Sequence, residues 1–186
     1  MTRPLFALAA LLAVVGSARP ADDDLPGPKI TWPEVKGLDR QKPNTFKDAA
    51  LGYSVAYLGE GTVITVFVYN LGLKKIPDGP DSETVKAEMY ESVLALEANK
   101  ASGRYKSLQP LDEKVIPFGS GKGAPQIRRK RYEAEVVKEG AVLTEVYVTG
   151  YKDHFIKLRA TYPADDKEKG QKQLETLLDG LGKGLK

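Results

Sequence analysis

Hydrophobic and polar positions change period several times along this chain, and the changes mark its elements. Tyr53, Val55 and Tyr57 alternate with small or polar residues, the signature of a strand with one buried face. Gly59-Glu60-Gly61 makes a turn, and Thr62 to Tyr69 follows as a β-branched and aromatic run that is apolar on both parities. The second strand is therefore expected at the centre of a sheet, covered on both sides. After a loop with Pro77, Gly79 and Pro80 the period lengthens to that of a helix. From Ser82 to Asn99, Val85, Met89, Val93 and Leu96 share one stripe, and Gly103 marks the end. Tyr105 to Ile116 reads as a weaker strand broken by Pro110, hence an edge or bent element. Three strands span Ile127 to Tyr162, turning at Glu139-Gly140 and at Tyr151-Lys152-Asp153. In the tail, Leu174, Leu177, Leu178, Leu181 and Leu185 fall at helical spacing, with Gly180, Gly182 and Gly184 expected to fray the last turns. The order of two strands, helix, four strands and helix predicts an α+β domain: an antiparallel sheet of about six strands with helices packed on its faces.

Placing like with like across the last three strands sets an expected register. Val136, Val142 and Ala160 form one core row, Ala134, Thr144 and Leu158 a second, and Tyr132, Val146 and Ile156 a third. The opposite face then carries Arg131, Glu133, Glu145, Tyr147, Phe155, Lys157 and Arg159, flanked by Glu135 and Leu143. Glu145 opposite Lys157 is an attractive cross-strand pair. That charged and aromatic face is the candidate partner-binding surface, with Tyr147 beside Phe155 the pair of most interest, because a tyrosine offers a rigid apolar ring with one polar handle.

The N-terminus has a different pattern. Thr2 and Arg3 precede an apolar run from Leu5 to Val15, and Gly16-Ser17-Ala18 supplies small residues where a signal peptidase reads. Residues 1–18 are expected to be a signal peptide cleaved after Ala18, the run being too short to span a bilayer, so that the protein is secreted or periplasmic with no transmembrane segment in its mature form. Residues 19–44, with Pro20, Pro26, Pro28, Pro33, Pro43 and the run Asp22-Asp23-Asp24, read as an extended linker, from which Trp32, the single tryptophan, packs back onto the domain. Residues 45–186 form the folded domain.

Composition narrows the chemistry. The chain has no cysteine, so its stability comes from burial, and both thiol chemistry and an N-terminal lipidated cysteine are excluded. Its 28 basic and 25 acidic residues are mixed along the chain, a balance that argues against nucleic acid as partner. His154 is the only histidine, expected at a strand end beside Lys130 and Val148, where the lysine would depress its pKa and make it a poor base. Zinc or copper centres need several His or Cys ligands. For calcium, neither Asp22-Asp23-Asp24 nor Asp78 with Asp81 has the spacing of a ligand loop. Gly119-Ser120-Gly121-Lys122-Gly123 is not a P-loop, because Ile116 stands where a glycine is needed, Gly123 where a serine or threonine is needed, and a strand follows. It reads as a hairpin loop. Alternation sends Arg128, Arg129, Lys130 and Arg131 to opposite faces and halves that basic patch.

The element order, together with Leu51-Gly52-Tyr53-Ser54-Val55-Ala56-Tyr57, the strand Thr62 to Tyr69, and Thr149-Gly150-Tyr151 through Phe155-Ile156-Lys157-Leu158-Arg159, resembles the PsbP-like family over residues 45–186. That resemblance implies an α/β/α sandwich and a non-catalytic binding or assembly role, with no catalytic motif to carry over. The expected function is an exported, non-enzymatic module of the cell envelope acting through contact with another protein, with no cofactor. The alternative is a carrier of a small molecule or lipid, with a pocket between sheet and helix.

Overall fold

A computed structural model describes residues 25–185. Residues 1–18, expected to be a signal peptide, and Asp22-Asp23-Asp24 lie outside the described residues. The elements are β1 (Asp39–Arg40), β2 (Asn44–Thr45), β3 (Tyr53–Leu58), β4 (Val63–Tyr69), α1 (Glu83–Ala101), β5 (Tyr105–Pro117), β6 (Gln126–Val136), β7 (Gly140–Tyr151), β8 (His154–Pro163) and α2 (Lys167–Gly184). They build an eight-stranded antiparallel sheet of order β1-β3-β4-β8-β7-β6-β5, with β2 pairing on β3. One helix packs on each face, so the architecture is the α+β, α/β/α layering that the element order predicts.

Each face holds its own core. On one, Leu174, Leu177, Leu178 and Leu181 of α2, with Leu185 at its C-cap, pack on Tyr53, Val55, Tyr57, Ile64, Val66, Val68, Leu158 and Tyr162. On the other, Val85, Met89, Val93 and Leu96 of α1 pack on Tyr132, Ala134, Val142, Val146 and Phe155. β4 is central, between β3 and β8, but its coverage is uneven: Ile64, Val66 and Val68 are buried under α2, whereas Val63, Thr65 and Phe67 on the α1 side are half-buried. β5 is the edge expected from Pro110, with register shifts at Tyr105/Ser107 and Pro110/Asp112.

Three expectations are corrected. Residues 25–44 are not a detached linker: Leu25, Ile30 and Trp32 pack against the α2-side core, Val35 and Leu38 are buried, and β1 and β2 pair with β3. Trp32 does pack back, edge-on to Tyr53 with ring centroids 6.2 Å apart. The glycines of α2 do not fray it. They are contact points, since a Cβ on Gly180 would lie 2.4 Å from Pro33 Cβ and one on Gly182 would lie 1.8 Å from the Phe118 carbonyl oxygen. The helix thus accepts the N-terminal segment and the β5–β6 loop against its bare backbone.

The third correction concerns register. Tyr151 pairs with His154, so the β7–β8 turn is Lys152-Asp153 alone, both at positive φ (46° and 61°). Those values belong to the mirror-image hairpin turns that match strand twist. Neither residue advertises that conformation, and tertiary contacts hold it: the Lys152 amide donates to Asp78 at 2.7 Å, and Asp153 accepts from the Ile76 amide and pairs with Lys75, each at 3.3 Å. Val142 therefore faces Pro163, not Ala160, an odd-numbered slip that turns all of β8 over relative to the expected rows. Between β6 and β7 the loop is Val137-Lys138-Glu139, and Ala134 rather than Val136 faces Val142, which keeps parity.

Candidate functional site

Because β8 is turned over, the seven residues expected to form one surface lie on opposite sides of the sheet. Arg131, Glu133, Glu145 and Tyr147 are on the α2 side, and Phe155, Lys157 and Arg159 on the α1 side. The expected Glu145–Lys157 pair does not exist. Most of the seven are occupied internally. Glu145 is 2% exposed and accepts hydrogen bonds from the hydroxyls of Tyr147, at 2.6 Å, and Tyr162. Burial, and next the neighbouring carboxylate, push both tyrosines up from their ordinary pKa, so they remain neutral donors throughout the working range of pH. Phe155 is buried against Tyr69, with centroids 5.4 Å apart. Arg159 donates to the Tyr105 hydroxyl at 2.8 Å.

Lys157 belongs to a second buried cluster. Its Nζ lies 3.0 Å from Glu88 Oε1 and 4.8 Å from the centroid of the Tyr69 ring. Glu88, 7% exposed and carried by α1, also accepts from the Tyr69 hydroxyl and from Ser92 at 3.2 Å. Tyr69, like the tyrosines on the other face, is pushed well above its usual pKa by burial and by the adjacent carboxylate. This cluster fixes α1 to β4 and β8 through charge as well as packing.

The four consecutive basic residues do divide between faces, and each finds acids. Arg131 reaches Asp112 with two bonds, of 3.0 and 2.7 Å, and Arg129 joins the same carboxylate at 3.2 Å. The Arg131 hydrogen bond above all holds the Asp112 carboxyl at about 2. Arg128 pairs with Asp81 and Glu113, and Lys130 with Glu113. Asp78 and Asp81 are thus held by a backbone amide and an arginine. The Gly119–Gly123 loop is pinned to α2 by the Ser120 amide, 2.7 Å from Asp179. His154 does not stand beside Lys130 or Val148, which pair with Val146 and Lys157. Its Nδ1 lies 2.9 Å from the Lys152 carbonyl and its ring lies against Gly27, where a Cβ would approach Nε2 to 2.7 Å. Among the described residues no group of three or more His, Cys, Asp or Glu is arranged to hold a metal ion.

Two open hollows lie on the surface. One of about 340 Å³ sits between the end of α1 and β5, lined by Glu97, Lys100, Leu108, Pro110, Lys130 and Tyr132; another of about 260 Å³ lies over the β6–β7 hairpin near Glu133 and Gly140. Neither is the enclosed apolar pocket between sheet and helix that a carrier would need.

The feature missed from sequence is the outer face of α1. Opposite its buried stripe, Ala87, Tyr90, Leu94, Ala98 and Ala101 follow one another in helical steps and all are exposed, Tyr90 at 62% and Leu94 at 37%. Val137 extends the patch past the helix end, its amide donating to the Arg104 carbonyl at 3.1 Å, and it is 38% exposed. An exposed apolar row opposite a buried stripe is not needed to fill the core, and contiguous exposed apolar surface marks a contact site. The row's signal in the sequence is a second apolar pattern at spacings of three and four, masked by the stronger stripe of Val85, Met89, Val93 and Leu96.

No protein-family model matches this chain, and comparison with curated proteins finds no match. Among solved structures it is similar to the cyanobacterial PsbP (CyanoP) of Synechocystis sp. PCC 6803, at 13% identity and a TM-score of 0.45, over 80% of this chain and 81% of that one. A similarity so distant assigns neither function nor site, and the sheet order and register rest on this chain's own hydrogen bonds.

Proposed function

We propose that this protein is an exported, non-enzymatic binding or assembly module of the cell envelope, acting through protein–protein contact at the outer face of α1. The observation that carries the reading is the solvent-facing row Ala87, Tyr90, Leu94, Ala98 and Ala101 on a helix whose other side already fills a core. Tyrosine is enriched at interface centres, and contiguous exposed apolar surface marks interaction sites. The seven residues first expected to meet a partner support it less, since Glu145, Tyr147 and Phe155 are buried. The sole histidine packs on Gly27 and caps a turn, a structural use that favours a non-catalytic reading. Export is supported by the signal-like pattern of residues 1–18.

The test is photo-cross-linking in cells from a benzophenone side chain placed at position 90, with the same probe at the exposed Lys172 of α2 as reference. A discrete protein adduct from position 90 that is missing from position 172, and lost when Leu94→Asp is added, is the expected result. Equal or absent labelling at both positions would remove α1 as the docking face.

A further inference from the structure

We infer that the occupant of the α1 face is a second copy of this chain, paired antiparallel about a two-fold axis through Leu94. The inference rests on the docking face proposed above and names what covers it. The exposed positions 87, 90, 94, 98 and 101 are separated by steps of three, four, four and three, a spacing that reads the same in both directions. An antiparallel copy therefore meets the row in register: Leu94 faces its own counterpart, Tyr90 falls opposite Ala98 of the second copy, and Ala87 opposite Ala101. Large meets small at the Tyr90 position, as interdigitating helices require, and the alanines allow axes to approach to about 8–10 Å. Such an isologous pairing closes on itself as a dimer.

Charge favours the same direction. Glu83 begins the helix, exposed and bonded to Lys86 at 2.7 Å; Arg104 follows the helix end, is exposed, and makes no ion pair among the described residues. In the antiparallel register the start of one copy's helix, with Glu83, meets the end of the other's, just past which Arg104 lies, at both ends of the pair. The helix dipoles are also opposed, which places each positive N-terminus beside a negative C-terminus. A parallel pair would set Glu83 against Glu83. One helix pair of this length buries less than the roughly 1,200 Å² of a standard interface, so the dimer dissociates on dilution.

The absence of cysteine from the chain makes the geometry directly testable. Single Ala87→Cys and Ala101→Cys variants alter exposed small residues and leave Tyr90 and Leu94 in place. Positions 87 of the two copies would lie about 21 Å apart, from fourteen residues at 1.5 Å each, whereas 87 and 101 would be adjacent. A bis-maleimide shorter than that separation should link the mixed variants and not Ala87→Cys alone, and Tyr90→Asp in both chains should cut the yield at least about tenfold by placing a charge in the contact. Sedimentation equilibrium of the unmodified mature chain should show a concentration-dependent monomer–dimer balance. Cross-linking of Ala87→Cys to itself would overturn the antiparallel register. A chain that stays monomeric and unlinked at high concentration would overturn self-pairing; if position 90 still labels a different protein in cells, the docking face survives, and if it labels nothing, both readings fall.

Discussion

The two helices are of nearly equal length, each covers one face of the same sheet, and they are held by different physics. α2 is one-sided: its leucines are buried, its outer face is polar, and its glycines sit where other backbone segments press against it. α1 carries a narrow apolar row between charged residues on its outer side, and its inner face includes a charged Glu88 tied to Tyr69, Ser92 and Lys157. A helix whose role ends at the core has no use for an exposed tyrosine between Ala87 and Leu94. The contrast separates a helix that completes the domain from one that completes it and presents a surface.

The sharpest way to break the contrast is to truncate a leucine in each helix. Leu177 is fully buried, so Leu177→Ala should cost about 3 to 4 kcal/mol of unfolding free energy, from lost transfer and a residual cavity. Leu94→Ala, at an exposed position, should change the stability of the dilute protein by less than about 0.5 kcal/mol. Urea unfolding of both variants at low protein concentration checks this. Comparable losses would mean that α1 has no free face.

The inner attachment of α1 comes next in size. Lys157→Met would leave Glu88 buried with its cation gone, and an unpaired buried charge is strongly destabilising; with Lys157 itself part-exposed, we expect a loss of about 2 to 3 kcal/mol. Adding Glu88→Gln removes the charge while keeping an acceptor for Tyr69, and should restore most of that loss. A double-mutant cycle of thermal or urea unfolding measures it. Additive losses would show that α1 is held by its aliphatic stripe alone.

What was legible in sequence follows the same division. The periodicity of Val85, Met89, Val93 and Leu96, and of the five C-terminal leucines from Leu174 to Leu185, reports local geometry and solvent exposure together, so both helices and their inner faces could be read. The central placement of Thr62 to Tyr69 and the edge character set by Pro110 were readable for the same reason. The β7–β8 register was not, because Lys152-Asp153 carries no glycine or asparagine and takes positive φ only with help from Ile76, Lys75 and Asp78, distant in sequence. One misplaced turn residue moved Phe155, Lys157 and Arg159 to the wrong side of the sheet and joined two half-surfaces into one that does not exist. Residues 25–44 were legible only in the packing of Trp32, for a related reason: their prolines argue against regular structure but say nothing about packing, and part of what holds them, besides β3 and Tyr53, is the bare backbone of a helix more than a hundred residues away.

That last contact offers the smallest and most discriminating test. By propensity alone, Gly182→Ala should stabilise α2 by up to about 1 kcal/mol, the usual gain of alanine over glycine inside a helix. The new Cβ, however, would fall 1.8 Å from the Phe118 carbonyl oxygen and 2.9 Å from Gly119 Cα, both backbone atoms of a loop pinned by Ser120 to Asp179. Overpacking of that kind costs more than the propensity gain, and we expect a net loss of about 1 to 2 kcal/mol. Gly184→Ala is the matched reference: its Cβ would come no nearer than 3.1 Å to Thr31, so the steric and propensity effects offset and stability should change by less than about 0.5 kcal/mol. Urea unfolding of the two variants decides between the readings. A stabilised Gly182→Ala would mean that the glycines are merely tolerated and that α2, like α1, keeps part of its surface free; a selective loss shows its backbone to be a packing surface, used to close the domain.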